Sequence, residues 1–122
     1  MQLHTDRSDT QMVTGYGAGW LQVDQQTFKH HVLIGASGFL RPWQCKDFND
    51  LTAAHFAELA ELNAEVILFG SGAQLRFVHP AWLQPLMQKR IGLETMDTHA
   101  ACRTYNVLAA EGRNVIAALL LE

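Results

Sequence analysis

The stretch Glu65-Val66-Ile67-Leu68-Phe69, closed by Gly70-Ser71-Gly72-Ala73-Gln74, decides the fold. Its apolar residues run on without alternation and stop at a glycine turn, the pattern of a short strand covered on both faces. Downstream, Leu93 to Met96 reads as a second short strand and Val115 to Leu121 as another buried one. Between them the spacing predicts helices. One spans about Pro80 to Arg90, with Pro80 suited to its first turn and Gly92 just past its end. Pro85 should kink or restart it. The other starts from a cap at Asp97 or Thr98 and ends at Glu111-Gly112. Strand, helix, strand, helix, strand implies two right-handed crossovers and a parallel three-stranded core.

Upstream of that core, Asn49 and Asp50 can cap a helix from Leu51 to about Leu62. Leu51, His55, Phe56, Leu59 and Leu62 fall on one side of it, while Glu58 and Glu61 border that stripe or lie off it. Earlier still the chain reads as strands. Met12-Val13 leads into Gly15-Tyr16-Gly17-Ala18-Gly19, and Trp20 to Val23 alternates like a half-buried strand. Asp24-Gln25-Gln26 makes a hairpin turn, Phe28 to Ile34 returns as one strand, and Gly35 to Gly38 turns toward Phe39 to Trp43. Glycines 15, 17 and 19 signal a bulge or tight bend and open no helix, so they are not a nucleotide loop. These strands should form an antiparallel layer or extend the sheet. The expected fold is an α/β three-layer sandwich with a short parallel β-α-β-α-β core and an N-terminal antiparallel strand layer. It forms a single domain over residues 11–122 behind a flexible polar tail over residues 1–10.

Composition narrows the function. At 122 residues there is room for one core, and a 48% hydrophobic share is enough to build it. Charged residues are 17%, against about 25% in an average protein, which leaves surface for a partner or simply marks a core-rich domain. The net charge of −3 and nine scattered Lys and Arg argue against nucleic acid, which demands a basic face. Cys45 and Cys102 form no Cys-x-x-Cys pair, so no zinc or thioredoxin motif is present. The apolar run at Val115 to Leu121 is seven residues, and about 20 are needed to span a bilayer. The chain reads as cytoplasmic, or as a processed form without its targeting segment.

Two loops leave the carboxyl edge of the parallel strands, where ligands gather in open α/β sheets. One is Gly70-Ser71-Gly72-Ala73-Gln74; the other is Asp97-Thr98, which starts a helix whose free amides favour an anion. His99, Arg103 and Asn106 follow at i, i+4 and i+7 on one helix face. The candidate ligand or partner site is therefore Gly70, Ser71, Gly72, Gln74, Asp97, Thr98, Arg103 and Asn106. The same residues also make an ordinary tight turn and a solvated helix face. Ser37 and Ser71 lack the setting of a nucleophile elbow. His30 and His31 point to opposite faces, and His55 reads as a hydrogen-bonded boundary residue. Cys102 reads as a buried, inert thiol. No catalytic residue, metal or cofactor is indicated.

Three segments carry a family resemblance: Gly92-Leu93-Glu94-Thr95-Met96-Asp97-Thr98 continuing Ala100 to Arg113, Gly15-Tyr16-Gly17 with Gly19-Trp20, and Phe69-Gly70-Ser71-Gly72. Together they resemble a small-domain family of uncharacterised archaeal and bacterial proteins that includes mitochondrial respiratory complex I assembly factor 3. The resemblance covers about residues 12 to 121 and implies a three-layer α/β domain. It also implies a non-catalytic partner in assembling NADH:ubiquinone oxidoreductase, whose complex I subunits or other assembly factors would be the protein partners. The family supplies no catalytic residues to carry over. The absence of a mitochondrial presequence suggests a prokaryotic relative. Two readings follow: a binding or assembly protein using the Asp97 to Asn106 edge, or a small-molecule or anion-binding protein using Gly70 to Gln74 with Thr98 and Arg103. A deep pocket between those loops favours the second; a shallow apolar patch rimmed by polar residues favours the first.

Overall fold

The computed structural model describes residues 10–122. The tail expected over residues 1–10 lies, except for Thr10, outside the described residues. Strands β1 (Val13–Gly17), β2 (Trp20–Val23) and β3 (Gln26–Phe28) form an antiparallel sheet. Strands β4 (Val32–Gly35), β5 (Phe39–Pro42), β6 (Val66–Gly70), β7 (Gly92–Met96) and β8 (Val115–Leu119) form a second sheet in the order β5-β4-β8-β6-β7. The helices are α1 (Ala53–Ala60), α2 (Gln84–Gln88) and α3 (Thr98–Ala110), with 3-10 turns at Phe48–Asp50 and Pro80–Leu83.

The parallel core is as expected: Ile67 of β6 lies opposite Leu93 of β7 and Ile116 of β8. The N-terminal strands do both things foreseen for them. β1 to β3 make a separate layer, while β4 and β5 extend the central sheet, β4 pairing antiparallel with β8.

The continuous apolar runs have a simple cause. Successive residues of β6 face opposite sides, and both sides are covered. Ile67 and Phe69 pack with Phe56 and Leu59 of α1 and Leu86 of α2. Val66 and Leu68 pack with Ala101 and Tyr105 of α3 and with Val13, Leu21 and Val23 of the small sheet. Helices therefore cover one face, and α3 with the small sheet covers the other.

Three local expectations are corrected. Phe28 to Ile34 is not one strand: β3 ends at Phe28 and β4 begins at Val32 in the other sheet. Val32, Leu33 and Ile34 are buried, while Gln26 and Thr27 are exposed, so burial divides the two. The first α-helix starts at Ala53 behind Thr52, whereas Asp47 caps the preceding 3-10 turn through Asp50 N–H at 3.0 Å. Downstream, Pro85 restarts the Pro80 helix as α2, and Arg90 rather than Gly92 takes the left-handed conformation after it, with φ 59°. Gly92 instead begins β7.

Candidate functional site

The carboxyl edge of β6 and β7 is tied together by buried polar groups. The turn after β6 needs a glycine at Gly72, whose φ is 103°. Its amide donates to Thr98 Oγ1 at 2.8 Å, and its carbonyl accepts from Thr98 N–H at 2.9 Å. The Thr98 hydroxyl donates onward to the Leu120 carbonyl at 2.7 Å. Ser71 is fully buried; its Oγ donates to the Gln74 carbonyl at 2.7 Å and accepts from Arg76 N–H at 3.0 Å. Asp97 caps α3 by accepting from Ala100 N–H at 2.9 Å.

Gly70, Ser71, Gly72, Gln74, Asp97 and Thr98 thus meet at one edge. Arg103 and Asn106 do not join them. Asn106 brackets Val13, accepting from its N–H at 2.9 Å and donating to its carbonyl at 2.7 Å, which fastens β1 to α3. Arg103 is exposed and donates to the Tyr16 hydroxyl at 3.0 Å, a bond that raises the guanidinium's already high pKa. His99, on the same face, lies tilted by 37° against the Tyr16 ring with centroids 4.5 Å apart and donates from Nε2 to the Gly17 carbonyl at 3.2 Å.

Sequence reasoning missed Arg76. Its Nη2 donates to the Ser71 carbonyl and to Glu122 Oε1, both at 2.9 Å, and its guanidinium lies 4.4 Å from the centre of the Phe48 ring. Among the described residues its buried Nε has no hydrogen-bond partner. A lone arginine within Leu75-Arg76-Phe77-Val78 was the available signal. Because Arg76 turns inward and Val78 is buried, Leu75 and Phe77 stand outward, 53% and 70% exposed.

The space between the turn at Gly17-Ala18-Gly19 and the Gly72-Ala73 turn is about 240 Å³, bordered by Thr98, His99 and Glu122. Neither thiol is activated. Burial pushes Cys102 up to about 12, opposed by Arg103, and burial with Asp50, Glu122 and Asp47 pushes Cys45 to about 12. Among the described residues no group of three or more His, Cys, Asp or Glu could hold a metal ion.

The family described as "Protein of unknown function (DUF498/DUF598)" matches residues 13–120. The chain belongs to it. Within reach of this DUF498 domain, an 80-residue stretch is 35% identical to NADH dehydrogenase (ubiquinone) 1 alpha subcomplex assembly factor 3 of Mus musculus. That match covers 64% of this chain and 43% of the mouse protein, so the DUF498 chain spans less than half of that relative's length. The crystal structure of a Bordetella parapertussis protein is similar at a TM-score of 0.86 and 38% identity, covering 93% of this chain and 97% of that one. The solution structure of a Bordetella pertussis protein described as a Mth938-like domain gives 0.82 and 32%, covering 96% and 87%. The three-layer DUF498 fold therefore recurs in solved bacterial relatives.

Proposed function

We propose that this DUF498 domain is a non-catalytic binding protein of the cytoplasm that assists assembly of respiratory NADH:ubiquinone oxidoreductase. The likeness to an assembly factor supports the role, and the outward pair Leu75 and Phe77 carries it structurally. Large apolar side chains held out by a tightly bonded turn suit a protein partner. The polar groups that a small anion would need, Gly72 N–H and the Thr98 and Ser71 hydroxyls, are engaged within the domain. The neighbouring space of about 240 Å³ is also smaller than the roughly 300–1,000 Å³ usual for ligand pockets. Both points support the partner reading over the ligand one. The proposed surface runs from Leu75 and Phe77 across Asp97 to the exposed side of α3 at Arg103.

The test is co-purification of the tagged domain with subunits of NADH:ubiquinone oxidoreductase, alongside native-gel analysis of the complex in cells lacking the gene. Subunits should co-purify with the native domain and be lost with Phe77→Ser. Normal complex levels in the deletion strain, with no subunit captured, would overturn the proposal.

A further inference from the structure

The central sheet ends on β7, which pairs with β6 alone. Gly92 N–H donates to the Glu65 carbonyl, and the Met96 carbonyl accepts from Ser71 N–H. Residues that turn their main chain toward a given neighbour alternate along a strand. Gly92, Glu94 and Met96 therefore face β6, while Leu93 and Thr95 turn their N–H and C=O groups outward. Among the described residues those four groups have no hydrogen-bond partner. The opposite edge of the sheet is blunted. On β5, Trp43 N–H just beyond the strand donates to the His31 carbonyl, which leaves Leu40 and Pro42 facing outward, and proline has no N–H to offer. The β7 edge is apolar on both faces as well. Leu93, half-buried, packs against the cluster under α1 and α2, and Met96, half-buried, packs against the cluster under α3.

Glu94 decides what can fill this edge. It stands mid-strand, exposed, and has no ion pair among the described residues. A second copy would close a dimer by pairing β7 antiparallel about a two-fold axis. Only one register engages all four outward groups, with Leu93 opposite Thr95 of the copy and Glu94 opposite its own copy. Sliding the strands brings up Ile91, whose N–H already donates to the Leu86 carbonyl, or Asp97, whose carbonyl already accepts from Ala101 N–H. In the full register the two glutamates form a non-hydrogen-bonded pair with Cα atoms about 4.5 Å apart. Like charges directly opposite destabilise a sheet, and opposite charges there stabilise it. A lysine or arginine facing Glu94 thus turns the same position from a barrier into a contact. Asp97 adds a negative charge just after the strand, and the exposed Arg90 lies two residues before it.

We propose that the free edge of β7 takes an extended segment of another protein as an added strand, with a Lys or Arg opposite Glu94 and apolar or β-branched residues on either side of it. Main-chain hydrogen bonds to Leu93 and Thr95 supply the affinity, and Glu94 supplies the selection. The flanking residues fall on the face of Leu93 and Thr95, where they extend the apolar cover. One carboxylate both bars self-pairing and selects a basic strand. This edge is separate from the surface at Leu75 and Phe77, and the proposal does not depend on the assembly role.

The test titrates the native chain with the end-blocked peptide Thr-Val-Lys-Val-Thr and with Thr-Val-Glu-Val-Thr, followed by amide chemical shifts and hydrogen exchange. The lysine peptide should protect the Leu93 and Thr95 amides, leave Ile67 and Ala117 unchanged, and bind at least about fivefold more tightly than the glutamate peptide. Glu94→Lys should invert that preference. Thr95→Pro removes only an outward donor, so it should keep the fold and abolish binding. The charge reversal carries the test by itself where the proline variant does not fold. The proposal would be overturned by a lysine peptide that protects neither amide, by equal affinity for the two peptides, or by a preference that Glu94→Lys leaves unchanged. A folded Thr95→Pro variant that binds as well as the native chain would also overturn it. So would Leu93 and Thr95 amides already protected in the chain alone, which would mean that the edge is filled without a partner.

Discussion

Thr98 and Gly72 hold each other by a reciprocal pair of hydrogen bonds, amide to hydroxyl at 2.8 Å and amide to carbonyl at 2.9 Å. Removing the hydroxyl strands the Gly72 N–H and the Leu120 carbonyl in a buried setting. Each stranded group costs about 1–3 kcal/mol. Thr98→Val should therefore lower unfolding free energy by about 2–4 kcal/mol, with Thr98→Ser well below that, as read by denaturant titration. A negligible loss in Thr98→Val beside a large one in Thr98→Ser would show that the methyl group, not the hydroxyl, matters.

Gly70 sits where β6 approaches α3. A methyl there would lie 2.9 Å from Leu119 Cδ2, 3.0 Å from Thr98 Oγ1 and 3.1 Å from Thr98 Cα. The last of these is backbone and cannot swing away. Gly70→Ala should cost about 1–3 kcal/mol of overpacking. Thermal unfolding checks it, and a melting temperature equal to the native chain's would mean that the helix can move off the strand.

β8 should be sensitive to truncation out of proportion to its place late in the sequence. Ile116 is 4% exposed and Leu119 is fully buried, one on each face of the central sheet. Replacing either with Ala should cost about 2–4 kcal/mol in denaturant unfolding. A cost below about 0.5 kcal/mol at both would place the strand outside the cooperative core.

Arg103→Ala should leave the unfolding midpoint unchanged, because the guanidinium is exposed and its one bond among the described residues is to the Tyr16 hydroxyl. The same variant should weaken capture of complex I subunits if the proposed surface extends along α3. Tyr16→Phe, which frees the guanidinium, separates an orienting role of the phenol from a direct contact. A stable Arg103→Ala variant that captures every native partner would end the surface at Thr98.

Alkaline pH should destabilise the domain through its thiols. Burial raises Cys102 and Cys45 from 9.0 to about 12, so the folded state disfavours thiolate. Their stability contribution is whole below the unfolded-state value and is lost as pH rises from about 9 toward 12. Denaturant midpoints should fall across that window in the native chain and fall less in Cys102→Ala. Alkylation at neutral pH should leave Cys102 untouched until the chain unfolds.

The parallel core was legible because β6 and β8 bury every residue, and only strands covered twice leave such runs. The cap at Asp97 and the stop at Gly112 were equally plain, being local chemistry. Sequence could not show that the polar Lys29-His30-His31 passage separates two sheets, since β3 closes a local hairpin on β2 whereas the partner of β4 is β8, far along the chain. It likewise missed Thr52 as a cap, because the imidazole of His55 does the work of the usual Glu or Gln. The site was half legible. The glycine turn and helix start converge because topology brings them to one edge. Asn106 shares Arg103's helix face yet serves the backbone of Val13, a contact across 93 residues that helical spacing cannot register.

The position of β8 also bears on how the chain comes to be folded. β4 and β5 on one side, and β6 and β7 on the other, are joined in the sheet only by residues 115–119. During synthesis, which proceeds from the N-terminus, each half carries an unpaired strand edge facing where β8 will lie. Neither edge can be closed until nearly all of the sequence here has been made. Long-range closure of this kind is slow, so a nascent chain would expose two complementary edges for longer than a domain built from consecutive hairpins. A chaperone that shields strand edges should therefore matter more to the yield of this protein than its small size suggests.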